Sequence, residues 1–264
     1  MATSQTSRGD AAKTLPLLWR DRDDPSAERR PRKGPRQRLS VDAVVEAGIS
    51  LADEDGLDAV SIRSVAAALG VGAMTLYRYV PSKAELLDLM LDSLYLSMPR
   101  PSLPAADEWR GAFRQIADLN RTLFERHPWA ARISTTRPPL GPGLTAKYEY
   151  ELTPFDELGL TDVEMDAALT YLLAFVQAAA ISAQEATKLT DESGVDESGW
   201  WQEVGPLLGR AITPEAYPLA SRVGTAAGVE QGAAYHPDRA YSFGVERVLD
   251  GLGALIEDRS SRQR

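Results

Sequence analysis

One stretch of thirty residues, Ser61 to Met90 (SIRSVAAALGVGAMTLYRYVPSKAELLDLM), constrains this chain more than any other. It reads as two short helices around a tight turn followed by a longer helix, the pattern of a helix-turn-helix DNA reader. Ser61 can cap the first helix, whose Ile62, Val65, Ala66 and Leu69 fall at i, i+3, i+4 and i+7 and give it one apolar face. Gly70 ends that helix, Val71 plugs the angle, and Gly72 is expected to let the chain re-enter a helix without a clash. The second helix, over 73–79, is too short to be stable alone, so packing must hold it. Leu76 and Val80 anchor it inward and leave Ala73, Thr75, Tyr77, Arg78 and Tyr79 on the remaining surface, which makes it the recognition-helix candidate. Pro81, Ser82 and Glu85 start the third helix, with Ser82 and Glu85 forming a capping box. Lys83 lies in its first turn, where a cation gains nothing from the helix dipole and is better explained by an external anion such as a DNA phosphate.

Upstream, Ser40 can cap a helix carrying Val44, Ala47, Gly48 and Leu51 at helical spacing, closed by Asp53, Glu54, Asp55 and Gly56. The chain's net charge of −9 looks unsuited to DNA until its distribution is read. Residues 1–40 hold ten Arg and Lys against five Asp and Glu, while the reader region 41–100 holds four against nine. The positive charge is concentrated in RRPRKGPRQR, Arg29 to Arg38, whose Pro and Gly content reads as an extended arm. Such an arm follows a DNA backbone or minor groove, or else is a solvated leader. Residues 1–39 are thus expected to be a flexible basic extension, although LPLLWR at 15–20 has the apolar content to fold back onto the body.

After Pro99, Pro101 and Pro104 the composition changes, placing the junction between a reader over 40–98 and a body over 105–258, with 259–264 as a tail. Helices are expected over 108–126, over 141–158 with a break at Pro154, over 161–189 behind a Thr161/Glu164 capping box, and over 238–257. His127-Pro128 breaks the first, and 193–237, rich in Gly, Pro and acidic residues, is expected to be less regular. The fold class is therefore all-α: a three-helix reader followed by a helical body. The helices over 161–189 and 238–257 are more broadly apolar than one chain's core requires, so pairing with a second copy in a four-helix interface would bury the surplus. Val248 and Leu249 are the positions where a buried charge is expected to split that pair.

The run AGISLADEDGLDAVSIRSVAAALGVGAMTLYRYVPSKAELLDLMLD resembles the TetR/AcrR family of one-component transcriptional regulators, with Gly56, Ala66, Gly70, Val71, Leu76, Tyr77, Tyr79, Lys83 and Leu86 in equivalent roles. EWRGAFRQIADLNRTLFERHPW, the GPG at 141–143 and YSFGVERVLDGLGALI more weakly resemble a tetracycline-repressor-like C-terminal domain. The resemblance implies a homodimer on a palindromic operator, Tyr77 and Tyr79 on phosphate or base edges, Lys83 on phosphate, and Arg63 reaching backbone or base. Ala73 and Thr75 suit close groove contacts, including the thymine methyl. A half-buried core role remains the alternative for Tyr79.

No cysteine is present, which excludes disulfide, thiolate and cysteine-zinc chemistry. The two histidines lack metal-ligand spacing and the GPG lacks a preceding strand, so neither enzyme nor dinucleotide chemistry is indicated, and no metal or other cofactor is expected. No segment reaches about 18 uninterrupted apolar residues and no apolar signal core begins the chain, so a cytoplasmic protein without membrane contact is expected. Trp129, Tyr148, Phe155, Tyr171 and Phe175 are candidate walls of a mostly apolar effector cavity, with Gln177 and Gln184 as polar contacts. The expected function is a repressor released from its operator by a small organic effector. The alternative is a DNA-binding scaffold or a regulator controlled by a protein partner; an internal cavity favours the first and a solid core the second.

Overall fold

A computed structural model describes residues 9–21, 39–105, 108–133 and 136–262, apart from the side chains of residues 260 and 262. Every regular element among them is helical. The reader begins with α2 (Val41–Asp55), where the Ser40 hydroxyl accepts from the Ala43 N–H at 3.1 Å. α3 (Ile62–Ala68) starts in a reciprocal box: the Ser64 N–H donates to Ser61 Oγ at 3.0 Å and the Ser61 N–H to Ser64 Oγ at 2.8 Å. It ends in a Schellman motif. Gly70 at φ 68° donates to Ala67 O and Val71 donates to Ala66 O, both at 3.0 Å.

α4 is shorter than expected, α-helical only over Ala73–Leu76, after which Arg78 and Tyr79 donate to the carbonyls three residues back and tighten the chain into a 3₁₀ turn. Leu76 and Val80 are fully buried, as their spacing requires. Gly72 is not needed sterically, because its backbone is ordinary extended chain (φ −73°, ψ 142°) and a Cβ there would meet only the Thr75 hydroxyl at 4.0 Å, an ordinary contact. The Ser82/Glu85 pair is also not reciprocal. Ser82 accepts from the Ala84 N–H at 3.1 Å, but Glu85 turns to the Ser82 hydroxyl and to the Asp10 N–H at 3.2 Å.

That last bond exposes a larger difference. Residues 11–18 form α1 (Ala11–Leu18), docked on α5 (Lys83–Ser97) with Leu18 buried, so the expected flexible extension over 1–39 contains an anchored helix. Trp19 Nε1 donates to Leu140 O at 2.8 Å, and Arg20 pairs with Asp42 at the start of α2. The basic run 29–38 lies outside the described residues.

α5 is buried on all sides from Glu85 to Asp92, between α1 and α2 on the reader side and α8 (Pro142–Leu152) on the body side. The prolines at 99–104 change the chain's direction without separating two cores: one apolar cluster runs from Val44 and Leu86 through Met90 to Phe113, Phe155 and Leu249. The GPG motif acquires a packing reason here. Asp92 accepts from the N–H groups of Gly143 (3.1 Å) and Leu144 (2.8 Å), capping α8, and a Cβ at Gly143 would collide with the Asp92 carbonyl oxygen.

The body continues through α6 (Trp109–Arg126), α7 (Pro128–Ala131) and α9 (Asp162–Ser193) to α12 (Pro237–Arg262). Pro154 ends α8 in a 3₁₀ turn, and the Thr161/Glu164 box opens α9 as expected. Residues 193–237 are more regular than their composition indicates, forming α10 (Glu197–Ala211) and α11 (Pro218–Gln231). Trp201 packs on Gly228 between them, a contact between distant residues that no local pattern announces. Val248 and Leu249 are buried within this one chain, so they belong to its own core and not to a surface awaiting a second copy.

α9 is long and apolar enough, by length and composition, to cross a membrane, yet only 28% of its apolar window is buried here. Its exposed residues Val163, Ala167, Tyr171, Ala174 and Ala178 recur at helical spacing. On α12, Ala240, Phe243, Gly251 and Ala254 are likewise exposed. The surplus apolar surface is therefore a defined stripe on two adjacent helices.

Candidate nucleic-acid interface and effector cavity

The outward surface of α4 follows from Leu76 and Val80 being turned inward. Thr75, Tyr77 and Arg78 are exposed, while Ala73 and Tyr79 are half-buried against the core, the inward role that was open for Tyr79. Arg63 is exposed on α3. Lys83 is half-buried and donates to Leu57 O at 3.2 Å, so an internal acceptor accounts for part of what an external anion was expected to explain. Its ammonium carries three N–H donors, leaving others for a phosphate. Met74, absent from the expected set, is 78% exposed in the middle of this surface. The missed signal was an apolar side chain flanked by groove-compatible Ala73 and Thr75, at a position that neither Leu76 nor Val80 needs for packing.

In the body, a cavity of about 450 Å³ opens between the C-terminal half of α6, the start of α7, the second half of α9 and the start of α12. Ala179, Ala180 and Ala183 form one wall, Phe124, Pro128 and Tyr241 supply apolar and aromatic surface, and Arg121, Gln184, Lys188 and Asp191 add polar groups. The Arg121 guanidinium lies 4.5 Å from the Tyr241 ring centre and pairs with Glu125 and Asp238. Burial, together with the hydrogen bond to Asp118, pushes the Tyr241 hydroxyl well above the usual tyrosine range, so it remains a donor.

Of the seven residues expected to line an effector site, Gln184 borders this cavity, and the five aromatic side chains and Gln177 do not. Phe155 is fully buried against Phe113. Tyr148 is exposed and donates to Asp166 at 2.8 Å, and Tyr171 is exposed on the α9 stripe. Phe175 stacks on Tyr241 and fills the space over Gly244. Gln177 donates to Ala131 O at 2.7 Å, and Trp129 donates to Asp53 at 2.7 Å. Periodicity identified apolar helix faces correctly but could not separate a face filled by neighbours from one left open. The open wall is built mainly of alanines, whose small size creates the space.

A second buried polar group joins α5, α6 and α8. Lys147 Nζ and Glu151 Oε2 are 2.6 Å apart, Asn120 Nδ2 donates to Glu151 Oε1 at 2.6 Å, and the Lys147 ammonium lies 5.3 Å from the Tyr95 ring centre. Burial first, then the charges of Glu151 and Asp92, pushes the Tyr95 hydroxyl far above its ordinary range. Burial also raises Asp92 against the opposing pull of its two backbone donors. At the far end of the body, Arg259 and the Thr161 cap hold the Glu164 carboxyl down to about 2, fixing the start of α9 to the end of α12 at neutral pH.

Residues 44–90 match the family described as bacterial regulatory proteins, tetR family, and residues 100–256 match the tetracyclin repressor-like C-terminal domain. The chain is 36% identical over 259 residues to the HTH-type transcriptional repressor DrrR1 of Streptomyces coeruleorubidus, covering 98% of this chain and 91% of that protein. Its fold is similar to that of apo ActR from Streptomyces coelicolor (TM-score 0.69, 24% identity, 85% of this chain and 99% of that one). ActR in complex with (S)-DNPA is similar at TM-score 0.67 and 25% identity, covering 83% of this chain and 99% of ActR.

Proposed function

Because this chain belongs to the TetR family of transcriptional regulators, DNA-binding proteins that are not enzymes, we propose that it is a cytoplasmic homodimeric repressor released from a palindromic operator by a small organic effector. The observation that carries the DNA half of this reading is the outward surface of α4, with Met74, Thr75, Tyr77 and Arg78 exposed around an anchored Leu76. Tyr77, Arg78 and Arg63 contact phosphate or base edges, Lys83 adds a phosphate contact, and Ala73 and Thr75 approach the groove closely. Tyr79 supports the recognition helix from its half-buried position. Dimerisation along the α9 and α12 stripes covers their apolar surface and sets the separation of the two readers.

The effector half rests on the cavity between α6, α7, α9 and α12, which favours a small-molecule ligand over control by a protein partner alone. Its alanine wall and aromatic neighbours suit an amphipathic organic molecule, and the relative ActR has been solved with the small molecule (S)-DNPA.

Selection of bound duplexes from a random library, followed by titration of the recovered site, tests the reading; absence of any preferred duplex would overturn it. With that operator in hand, Met74→Ala is expected to weaken binding about three- to tenfold without changing thermal stability. Replacing contacted thymines by deoxyuridine removes only their methyl groups and is expected to weaken the original protein but not Met74→Ala. Equal responses of both proteins to deoxyuridine would remove Met74 from the base-reading set. Neutralising the Arg and Lys residues of 29–38 is expected to flatten the salt dependence of binding, with an unchanged slope identifying a solvated segment.

A further inference from the structure

α6 and α7 meet at a single residue, His127, and the chain around this junction has a different neighbour on each side. Phe124 and Pro128 face the cavity, while the intervening and following residues, His127 and Trp129, reach the reader. Both converge on Asp53: His127 Nδ1 stands 2.9 and 3.0 Å from its two carboxylate oxygens, and Trp129 Nε1 donates at 2.7 Å. Asp53 lies in the last turn of α2, where the helix dipole disfavours an acid, so this side chain is held by its donors and not by its helix. On the body side, Gln177 fixes the Ala131 carbonyl at 2.7 Å and Gln184, itself a cavity wall, reaches the Phe124 carbonyl at 3.5 Å. α2 in turn packs on α3 and α5, the helices that orient the recognition surface.

We propose that the Asp53 clasp, formed with His127 and Trp129, transmits occupancy of the cavity to the DNA reader. A molecule pressing on Phe124, Pro128 or Gln184 shifts the 124–131 segment, and the two donors carry that displacement into α2. Asp53, His127 and Trp129 are positioning residues; they touch neither DNA nor effector. This inference rests on the effector-responsive reading above and names the route by which that site is regulated.

The test mimics occupancy without an identified ligand. Ala183→Phe fills the cavity, with Ala183→Leu as a smaller second filler; Asp53→Ala cuts the clasp, and Trp129→Phe removes one donor while retaining an aromatic ring. Each protein is checked by thermal unfolding, and affinity for the selected operator is measured for the single and paired variants. Filling the cavity is expected to weaken operator binding at least tenfold in the otherwise unchanged protein, and less than twofold once Asp53→Ala or Trp129→Phe is present. Multiplying effects, or fillers that leave operator affinity within twofold, would overturn the clasp while leaving DNA binding intact. Failure of the unchanged protein to bind any duplex specifically would instead overturn the functional reading on which the clasp depends.

Discussion

Lys147→Met is expected to destabilise the folded chain by about 3–5 kcal/mol, because it leaves the buried Glu151 carboxyl with Asn120 as its remaining side-chain partner. For a chain of this size that corresponds to a fall of roughly 6–20 °C in the unfolding midpoint. Lys147→Met combined with Glu151→Leu removes both charges and is expected to recover most of the loss, since an ion pair taken out of water gains little over apolar packing of similar volume. Thermal unfolding followed by circular dichroism checks both. A single variant within about 1 kcal/mol of the original protein would mean that water reaches Glu151, contrary to its 2% exposure.

The second large effect concerns the exposed stripe. Phe243→Asp together with Tyr171→Asp is expected to give a folded monomer whose operator affinity is at least 100-fold lower, because each reader must then bind its half-site alone. Leu249→Asp is expected to behave differently: it places a charge in the chain's own core and unfolds the body before any question of assembly arises. Light scattering with unfolding curves separates the outcomes. A stable dimer carrying both surface aspartates would exclude the α9 and α12 stripe as the interface.

The contrast between Phe243 and Leu249 marks how far the sequence could be read. Helical spacing located α12 and its apolar character, but Val248, Leu249 and Phe243 are equally apolar as letters, and only the neighbouring helices decide which points inward. The reader was more legible because its signals are local. Ser40 and Ser61 cap the helices they precede, Gly70 takes the one positive φ that the Schellman turn requires, and Leu76 and Val80 are buried. The effector wall was not legible. Alanines at 179, 180 and 183 contribute space through what they lack, and α10 and α11 hold together through a tryptophan on a glycine 27 positions away. Trp129 drew attention as an aromatic side chain, whereas its indole N–H on Asp53 gives it a place between body and reader.

The docking of α1 alters what removal of the amino terminus would measure. Trp19 wedges its indole against the chain entering α8, and the Asp10 amide holds Glu85 at the first turn of α5. A truncation back to residue 39 would therefore take out a brace joining the start of α5 to the chain entering α8, along with the basic residues. A truncated protein that binds DNA poorly would report a slackened frame as readily as a lost charge, and a bulky affinity tag near Asp10 could loosen the same brace without removing one basic residue.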